Sequence, residues 1–286
     1  MWLISAVASA FFAGVTSILA KCGIKKTDSD VATAVRTIII FAFSWLIVFI
    51  SGSYSQIKNI DGSSVAFLVL SGLSTGISWL CYFKALQMGD INKVVPIDKS
   101  STVLTILLAL VLFHEGISAA KIVAIVSITT GVFMMINKKE TTVAKSKNGW
   151  FWYACGSAIF AALTAVLGKP GMKGLPSDLG TAIRTSVVLV MAWLVVLVSK
   201  KQNQVKLMDK KELVFISCSG ITTGASWLCY YHAIQNGPVS VVAPVDKLSI
   251  LVTVVFSYFV FGEKLNRKEL VGLILLTFGT IFMAFL

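Results

Sequence analysis

The chain has 286 residues and a formal net charge of +12, and 56% of its residues are hydrophobic while only 13% are charged. A typical soluble domain is about 45–50% apolar and about 25% charged, so this composition excludes an ordinary soluble enzyme and a disordered chain. It also argues against a nucleic-acid partner, because the Lys and Arg residues of an apolar chain collect in loops on one side of a membrane.

Ten apolar stretches follow in chain order, at residues 2–20, 31–50, 64–87, 94–113, 119–136, 149–167, 179–199, 212–235, 239–261 and 269–286. They approach the length of about 20 residues that crosses a bilayer, and none alternates as a barrel strand does. We therefore predict ten helical spans, numbered 1 to 10. Residues 6–10 carry the spacing of a signal-peptide cleavage site, but no basic residue precedes them, so we expect span 1 to be retained.

An internal repeat organises these spans. When the sequence is shifted by 148 residues, positions 71–99 align with 219–247, and 16 of the 29 aligned residues are identical. The same shift needs no gap and also pairs Arg36 with Arg184 and Glu115 with Glu263. The repeat predicts two five-helix units, residues 1–137 and 149–286, which are joined by a cytoplasmic linker at 138–148.

The odd number of spans in each unit predicts their relative orientation. After five spans the second unit enters the membrane from the opposite side, which gives inverted repeats of the kind found in secondary transporters. One side carries sixteen Lys and Arg residues in its loops, and the other carries four: Lys58, Lys121, Lys169 and Lys173. The positive-inside rule places the first side in the cytoplasm and both termini outside it. The predicted fold is an all-α membrane protein of ten transmembrane helices in two inverted-topology repeats.

Several repeated motifs resemble a known family. The segments Ser-Trp-Leu-Cys-Tyr (78–82 and 226–230), Pro-x-Asp-Lys (96–99 and 244–247) and Phe-x-Glu (113–115 and 261–263) are similar to the EamA domain. Two such domains make a ten-helix member of the drug/metabolite transporter superfamily, and the resemblance covers nearly the whole chain. The Pro-x-Asp-Lys-x-Ser form resembles a bacterial and archaeal subgroup that includes single five-helix units. The resemblance implies alternating-access transport of small organic solutes, often export, in the cytoplasmic membrane of a prokaryote.

Ionisable residues inside spans are expensive and are therefore functional candidates. The basic candidates for substrate binding are Arg36, Lys99, Arg184 and Lys247. Such groups attract a carboxylate or phosphate, because Arg offers two parallel hydrogen bonds and Lys a point charge. The alternative is a purely structural role, in which these groups reach the interface or form fixed pairs with Asp98 and Asp246. A neighbouring Lys also disfavours proton carriage by either aspartate.

Further candidates recur in both units. The aromatic residues that share one helical face can form a wall for the substrate or pack structurally: Trp79, Tyr82, Trp227 and Tyr230. Glu115 and Glu263 end spans 4 and 9, where we expect a helix cap or an ion pair to Lys121 or Arg267, with a gate salt bridge as the alternative. The glycines expected to permit close helix contact are Gly72, Gly76, Gly220 and Gly224.

The two His and five Cys residues have no metal-ligand spacing, and the sequence contains no nucleotide-binding or nucleophile motif. We therefore predict no cofactor and no enzymatic activity. The predicted partners are the lipid bilayer, a small-molecule substrate and a coupled proton or counter-substrate, and the protein is expected to be a monomer or homodimer.

The leading functional hypothesis is a secondary transporter that exports an amino acid or another anionic or zwitterionic metabolite. Multidrug efflux and lipid-carrier flipping are the alternatives within transport. A membrane-embedded enzyme would need an asymmetric catalytic cluster, whereas the candidate charges here repeat symmetrically.

Overall fold

The computed structural model describes residues 1–23, 27–88, 97–98, 100–116, 118–135, 149–261 and 265–286. Regular structure in these ranges is helical, which confirms the predicted all-α class. The helices are α1 Trp2–Gly23, α2 Ser29–Ser51, α3 Gly62–Met88, α4 Ser101–Leu112, α5 Ala119–Met135, α6 Trp150–Gly171, α7 Ser177–Val198, α8 Lys210–Asn236, α9 Val239–Lys247, α10 Ser249–Phe261 and α11 Arg267–Ala284. Short 3₁₀ helices at Ser53–Asn59 and Gln202–Leu207 follow α2 and α7.

The helices have the length and composition of a multi-pass membrane protein. Among the described residues, seven segments are long and apolar enough to cross a bilayer, while α4 and α5 are apolar but shorter. Large apolar side chains cover the outer surface, and Trp152, Val198 and Phe259 are 77%, 78% and 78% exposed. Exposed patches of this kind suit contact with lipid rather than with water.

Span 9 is not the continuous helix that the apolar stretch 239–261 predicts. It consists of α9 and α10, which meet at Leu248. Hydrogen bonds between residues three apart join the two parts: the Leu248 amide donates to the Val245 carbonyl at 3.0 Å, and the Leu251 amide donates to the Leu248 carbonyl at 2.8 Å. Pro244 lies one turn earlier and lacks an amide hydrogen, which weakens the helix there.

The two halves pack against each other through pairs of helices, one from each half. Helix α1 packs on α8 and α6 packs on α3, which are the equivalent first and third helices of opposite halves. Helix α2 contacts α7, and α5 contacts α11, so these pairs join equivalent helices. Each contact therefore recurs when the two halves are exchanged, as a two-fold axis requires. The inverted orientation of the halves in the bilayer stays a prediction.

Glycines confirm the expected close approach of helices. A Cβ atom at Gly72 would lie 2.8 Å from the Val187 Cβ, and one at Gly220 would lie 2.7 Å from the Ile39 Cβ. Val187 and Ile39 are equivalent under the shift of 148 residues. Real Cβ atoms do not approach other atoms this closely, so both positions require glycine at the present helix spacing.

Candidate functional site

Arg184 lies at the centre of the interface between the halves. Its side chain projects from α7 towards α3 and is only 2% exposed. The guanidinium donates from Nε to the Ser71 hydroxyl at 3.1 Å and from Nη2 to the Thr75 hydroxyl at 2.7 Å. The third nitrogen, Nη1, is buried and has no hydrogen-bond partner among the residues that the structure describes. The charge is thus surrounded by neutral acceptors and retains donor capacity that is not used.

Two aromatic rings of α8 complete the surroundings of Arg184. The guanidinium carbon lies 5.0 Å from the centre of the Trp227 ring and 4.6 Å from that of the Tyr231 ring. These distances are within the range of cation–π attraction. Tyr231 is 2% exposed, and a Cβ at Gly168 would lie 2.7 Å from its Cε1 atom. Gly168 on α6 therefore makes room for the ring that covers Arg184.

Arg36, the repeat mate of Arg184, is partly exposed and differently bonded. No hydrogen bond joins its side chain to any residue in the described ranges, and its Nε atom is buried without a partner. The residues equivalent to Ser71 and Thr75 are Ser219 and Thr223, and their hydroxyls donate to carbonyls of α8 itself. The two predicted arginines thus occupy equivalent positions in different states.

The two intramembrane aspartates bind serines of the opposite half. The Ser9 hydroxyl donates to Asp246 Oδ1 at 2.8 Å, and the Ser157 hydroxyl donates to Asp98 Oδ1 at 2.6 Å. Ser9 and Ser157 are repeat mates on α1 and α6. The alternative of fixed Asp–Arg pairs is not seen, because neither aspartate pairs with Arg36 or Arg184 where all four residues are described.

Of the two predicted lysines, Lys247 lies away from the centre of the interface, and Lys99 is not among the described residues. The Lys247 side chain is 45% exposed, and its Nζ lies 3.9 Å from Asp246 Oδ2. Lys99 and Glu263 lie outside the residues that the structure describes. Both members of the repeated Asp-Lys pair are therefore described only in the second half, where Asp246 is bonded to Ser9 of α1.

The four predicted aromatic residues do not form one continuous wall. Trp227 and Tyr230 pack together in a cluster with Leu68, Met172, Leu175 and Tyr231. Trp79 instead packs on a cluster of α2, α7 and α8 residues, and Tyr82 packs on Ala85 and Ala154. Among these four side chains, the ring of Trp227 lies on the guanidinium of Arg184.

Glu115 caps the first turn of α9, which is the structural role expected of it, but with different partners. Its two oxygens accept the amides of Val239 and Ser240 at 2.8 and 3.0 Å. Lys169 lies 3.4 Å from Glu115 Oε1 and also donates to the Gly237 carbonyl at 3.0 Å. We call this group the α9 seal: Glu115, Lys169, Gly237, Val239 and Ser240. The expected partner Lys121 instead donates to the Glu115 and Gly116 carbonyls.

Ion pairs hold the opposite end of the molecule. Lys201 Nζ lies 2.8 Å from Asp28 Oδ2 and 2.5 Å from Asp30 Oδ2, which ties the start of α2 to the segment after α7. Partial burial raises the pKa of the Asp28 carboxyl, but hydrogen bonds from Lys201 and the Asp30 amide more than offset this effect and leave the pKa below 3.8. Burial lowers the pKa of Lys201, and its two carboxylate partners raise it above its ordinary value overall.

Sequence reasoning missed the hydroxyl partners of the charged groups. Ser71 and Thr75 lie within the repeated block, and Ser9 and Ser157 match under the shift of 148 residues. The signal was therefore present as identical small polar residues at equivalent positions. Lys169 is a loop charge and the repeat mate of Lys21, but the sequence did not indicate its pairing with Glu115.

Comparison with known proteins gives matches in both halves. The EamA-like transporter family matches residues 1–137 and 148–285. The "Uncharacterized transporter in cobO 3'region" of Sinorhizobium sp is 38% identical over 135 residues, which are 47% of this chain and 96% of that protein. An uncharacterized protein of Methanocaldococcus jannaschii is 24% identical over 102 residues, or 36% of this chain and 73% of that protein. A solved structure, described only as a crystal structure of a protein, has a TM-score of 0.78 at 14% identity and covers 98% of this chain and 95% of its own, which shows the fold alone.

Proposed function

Because this chain belongs to the EamA-like transporter family, we propose that it is a secondary transporter for a small anionic or zwitterionic metabolite. The substrate crosses the cytoplasmic membrane by alternating access at the interface between the halves. One observation carries the proposal: the buried guanidinium of Arg184 has neutral partners and an unused donor at Nη1.

The energetics of a buried charge support an anionic substrate group. A buried ion costs several kcal/mol unless it is paired, and the hydroxyls of Ser71 and Thr75 bring dipoles but no negative charge. A buried donor without a partner costs about 1–3 kcal/mol more. A carboxylate or phosphate that reaches the Arg184 guanidinium would relieve both penalties at once. The arginine centre therefore favours anions over cations.

The remaining groups of the interface suit a zwitterion such as an amino acid. Asp98 and Asp246 lie in the same interface between the halves, and each holds a serine through one oxygen. The second oxygen of Asp98 can accept an ammonium group, whereas the second oxygen of Asp246 lies 3.9 Å from Lys247 Nζ. Multidrug efflux of cations fits this arrangement less well, because the buried Arg184 repels a cation. The outward direction of transport follows the family resemblance.

Transport by purified protein in liposomes tests the proposal. The chain has three arginines, so Arg267→Gln at the exposed start of α11 is a matched control for Arg184→Gln. We expect uptake of L-glutamate or a neutral amino acid to exceed uptake of L-lysine. Loss of a hydrogen bond to a charged group costs about 1.5–3 kcal/mol, so Arg184→Gln should raise KM roughly tenfold to a hundredfold.

Two results would contradict the proposal. The first is preferential transport of the cationic solute by the wild-type protein. The second is equal KM values for the Arg184→Gln and Arg267→Gln proteins when both fold normally. An Arg184→Lys protein that recovers only part of the activity would show that the geometry of the guanidinium matters as well as its charge.

A further inference from the structure

The two halves contain the same arginine centre in two different states. Arg184 donates to Ser71 and Thr75 of α3, at 3.1 and 2.7 Å. The equivalent acceptors for Arg36 are Ser219 and Thr223 of α8, and the residue types are identical. Within the described ranges, however, Arg36 makes no hydrogen bond to either hydroxyl. The difference therefore cannot come from the residue types at these positions.

The backbone around both arginines is the same. A Cβ atom at Gly72 would lie 3.1 Å from the Arg184 carbonyl oxygen, and one at Gly220 would lie 3.1 Å from the Arg36 carbonyl oxygen. Each arginine thus crosses the third helix of the opposite half at an equal distance. The hydroxyls of Ser219 and Thr223 donate to the Ile216 and Ser219 carbonyls at 2.7 and 2.6 Å, much as Thr75 donates to the Ser71 carbonyl, but within the described ranges they accept no bond from Arg36. Side-chain conformation separates the two states.

Several contacts link the helices at the end of the molecule near Arg184. The Tyr231 ring lies over Arg184 and against Gly168, which precedes Lys169 of the α9 seal. Farther along α8, the Gln235 side-chain amide donates to the Met172 and Leu175 carbonyls at 2.7 and 2.8 Å. The engaged Arg184 is therefore linked through Tyr231 and Gly168 to the α9 seal. The side chains equivalent to Lys169, Gln235 and Glu115 at the other end lie outside the described part of the chain.

We propose that the two arginines receive the anionic group of the substrate in alternation. In the state described here, Arg36 is released and partly exposed, and it is the receiving group, while Arg184 is engaged and occluded. In the opposite state, Arg36 is held by Ser219 and Thr223, and Arg184 is released from Ser71 and Thr75. This inference rests on the proposed function and identifies which guanidinium is available on which side.

The physical basis is the repetition of the hydroxyl partners in the two centres, Ser71 and Thr75 in one and Ser219 and Thr223 in the other. Exchanging the engaged and released states therefore replaces one pair of hydrogen bonds by another pair of the same kind, as a two-state element requires. The surrounding residues differ, because Tyr231 and Gly168 correspond to Phe83 and Ala20, so the two states need not be equally populated. In an inverted-repeat transporter, such an exchange can accompany the movement of one repeat against the other that opens a fixed site to alternate sides of the membrane.

Hydrogen exchange in the full-length protein tests the alternation without any substrate. The amides of Val239 and Ser240 are bonded to Glu115 and report directly on opening of the α9 seal. The double variant Ser71→Ala/Thr75→Val removes the partners of Arg184, so exchange at these amides should rise by roughly tenfold or more. The matched variant Ser219→Ala/Thr223→Val removes the partners of the opposite state, so exchange at the same amides should fall.

Opposite shifts in these two variants are required. Shifts in the same direction, a shift in one variant alone, or no shift above about twofold would overturn the alternation. If a double variant does not purify as a homogeneous protein, the near-isosteric single variants Thr75→Val and Thr223→Val should give the same opposite shifts at smaller size. Glu115→Gln is the positive control, because it weakens the seal directly and must raise the exchange.

The hydrogen-exchange experiment can fail or succeed independently of the transport experiment that tests the proposed function. Insensitivity of transport to Arg184→Gln would reject the anion site while exchange at Val239 and Ser240 still reported on the arginine states. Normal anion transport with exchange shifts in one direction would reject the alternation and leave the anion site in place.

Discussion

The seam between α5 and α11 gives a quantitative prediction for Gly131→Ala. A Cβ atom at this position would lie 2.5 Å from the Leu276 amide nitrogen and 2.7 Å from the Gly272 carbonyl oxygen. The first distance is 0.9 Å short of the 3.4 Å at which contact becomes ordinary. Both neighbours are backbone atoms, which cannot rotate away, so the helices must separate.

The net cost of Gly131→Ala follows from two opposing effects. Overpacking costs about 1–3 kcal/mol, and a helix separation of this size forfeits about a quarter to a half of each contact across the seam. Alanine recovers about 1 kcal/mol of helix propensity relative to glycine. Taking the upper end of the overpacking range, about 3 kcal/mol, and subtracting the gain of about 1 kcal/mol in helix propensity, we expect a net destabilisation of about 2 kcal/mol.

Reversible unfolding in mixed detergent micelles, followed by tryptophan fluorescence, measures this free energy. Gly62→Ala is the matched control, because a Cβ at Gly62 meets no atom within 4 Å. Gly279→Ala should have an intermediate effect, since its closest backbone contact is 2.9 Å. A free energy of unfolding for Gly131→Ala equal to that of Gly62→Ala would refute the packing argument.

Three further predictions concern the ends of the molecule. The pKa of the Asp28 carboxyl is below 3.8, so its carboxylate stabilises the fold above that pH, and this stabilisation is lost as the pH falls through the folded-state pKa. Thermal melts between roughly pH 6 and pH 2.5 should therefore show a fall in melting temperature that is smaller in Lys201→Met. Glu115→Gln removes the charge that caps α9 and should destabilise the protein by about 1–3 kcal/mol in the same unfolding assay. A reporter fused to the C-terminus should be active outside the cytoplasm, and a cytoplasmic signal would reverse the predicted orientation.

The periodic features of the fold were predictable from the sequence. Long apolar stretches give helices whose bounds differ by a few residues, as for residues 31–50 and α2 at Ser29–Ser51. Asp28 caps α2 through its side chain, which explains why the helix begins before the apolar stretch. The repeated glycines also predicted close contacts, because small residues spaced four apart on one helix face let neighbouring backbones approach closely.

The partners of the charges were not predictable in the same way. Hydropathy alone predicts one span at 239–261, but Pro244 lacks an amide donor and indicates a loosened helix close to the observed division at Leu248. Arg184 and Glu115 find their partners on helices of the other half, at separations of 113 and 124 residues for Ser71 and Val239. Such pairs depend on how the halves dock, which local patterns do not contain.

The central claim is that paired arginines in the interface receive an anionic group. Thermal stabilisation of the purified full-length protein by L-glutamate, a neutral amino acid and L-lysine tests it most directly, because a ligand that binds only the folded state raises its stability. We predict stabilisation by the anionic or zwitterionic solutes that persists in Arg267→Gln and disappears in the Arg36→Gln/Arg184→Gln double variant. Stabilisation by L-lysine alone, or stabilisation that survives in the double variant, would contradict the account.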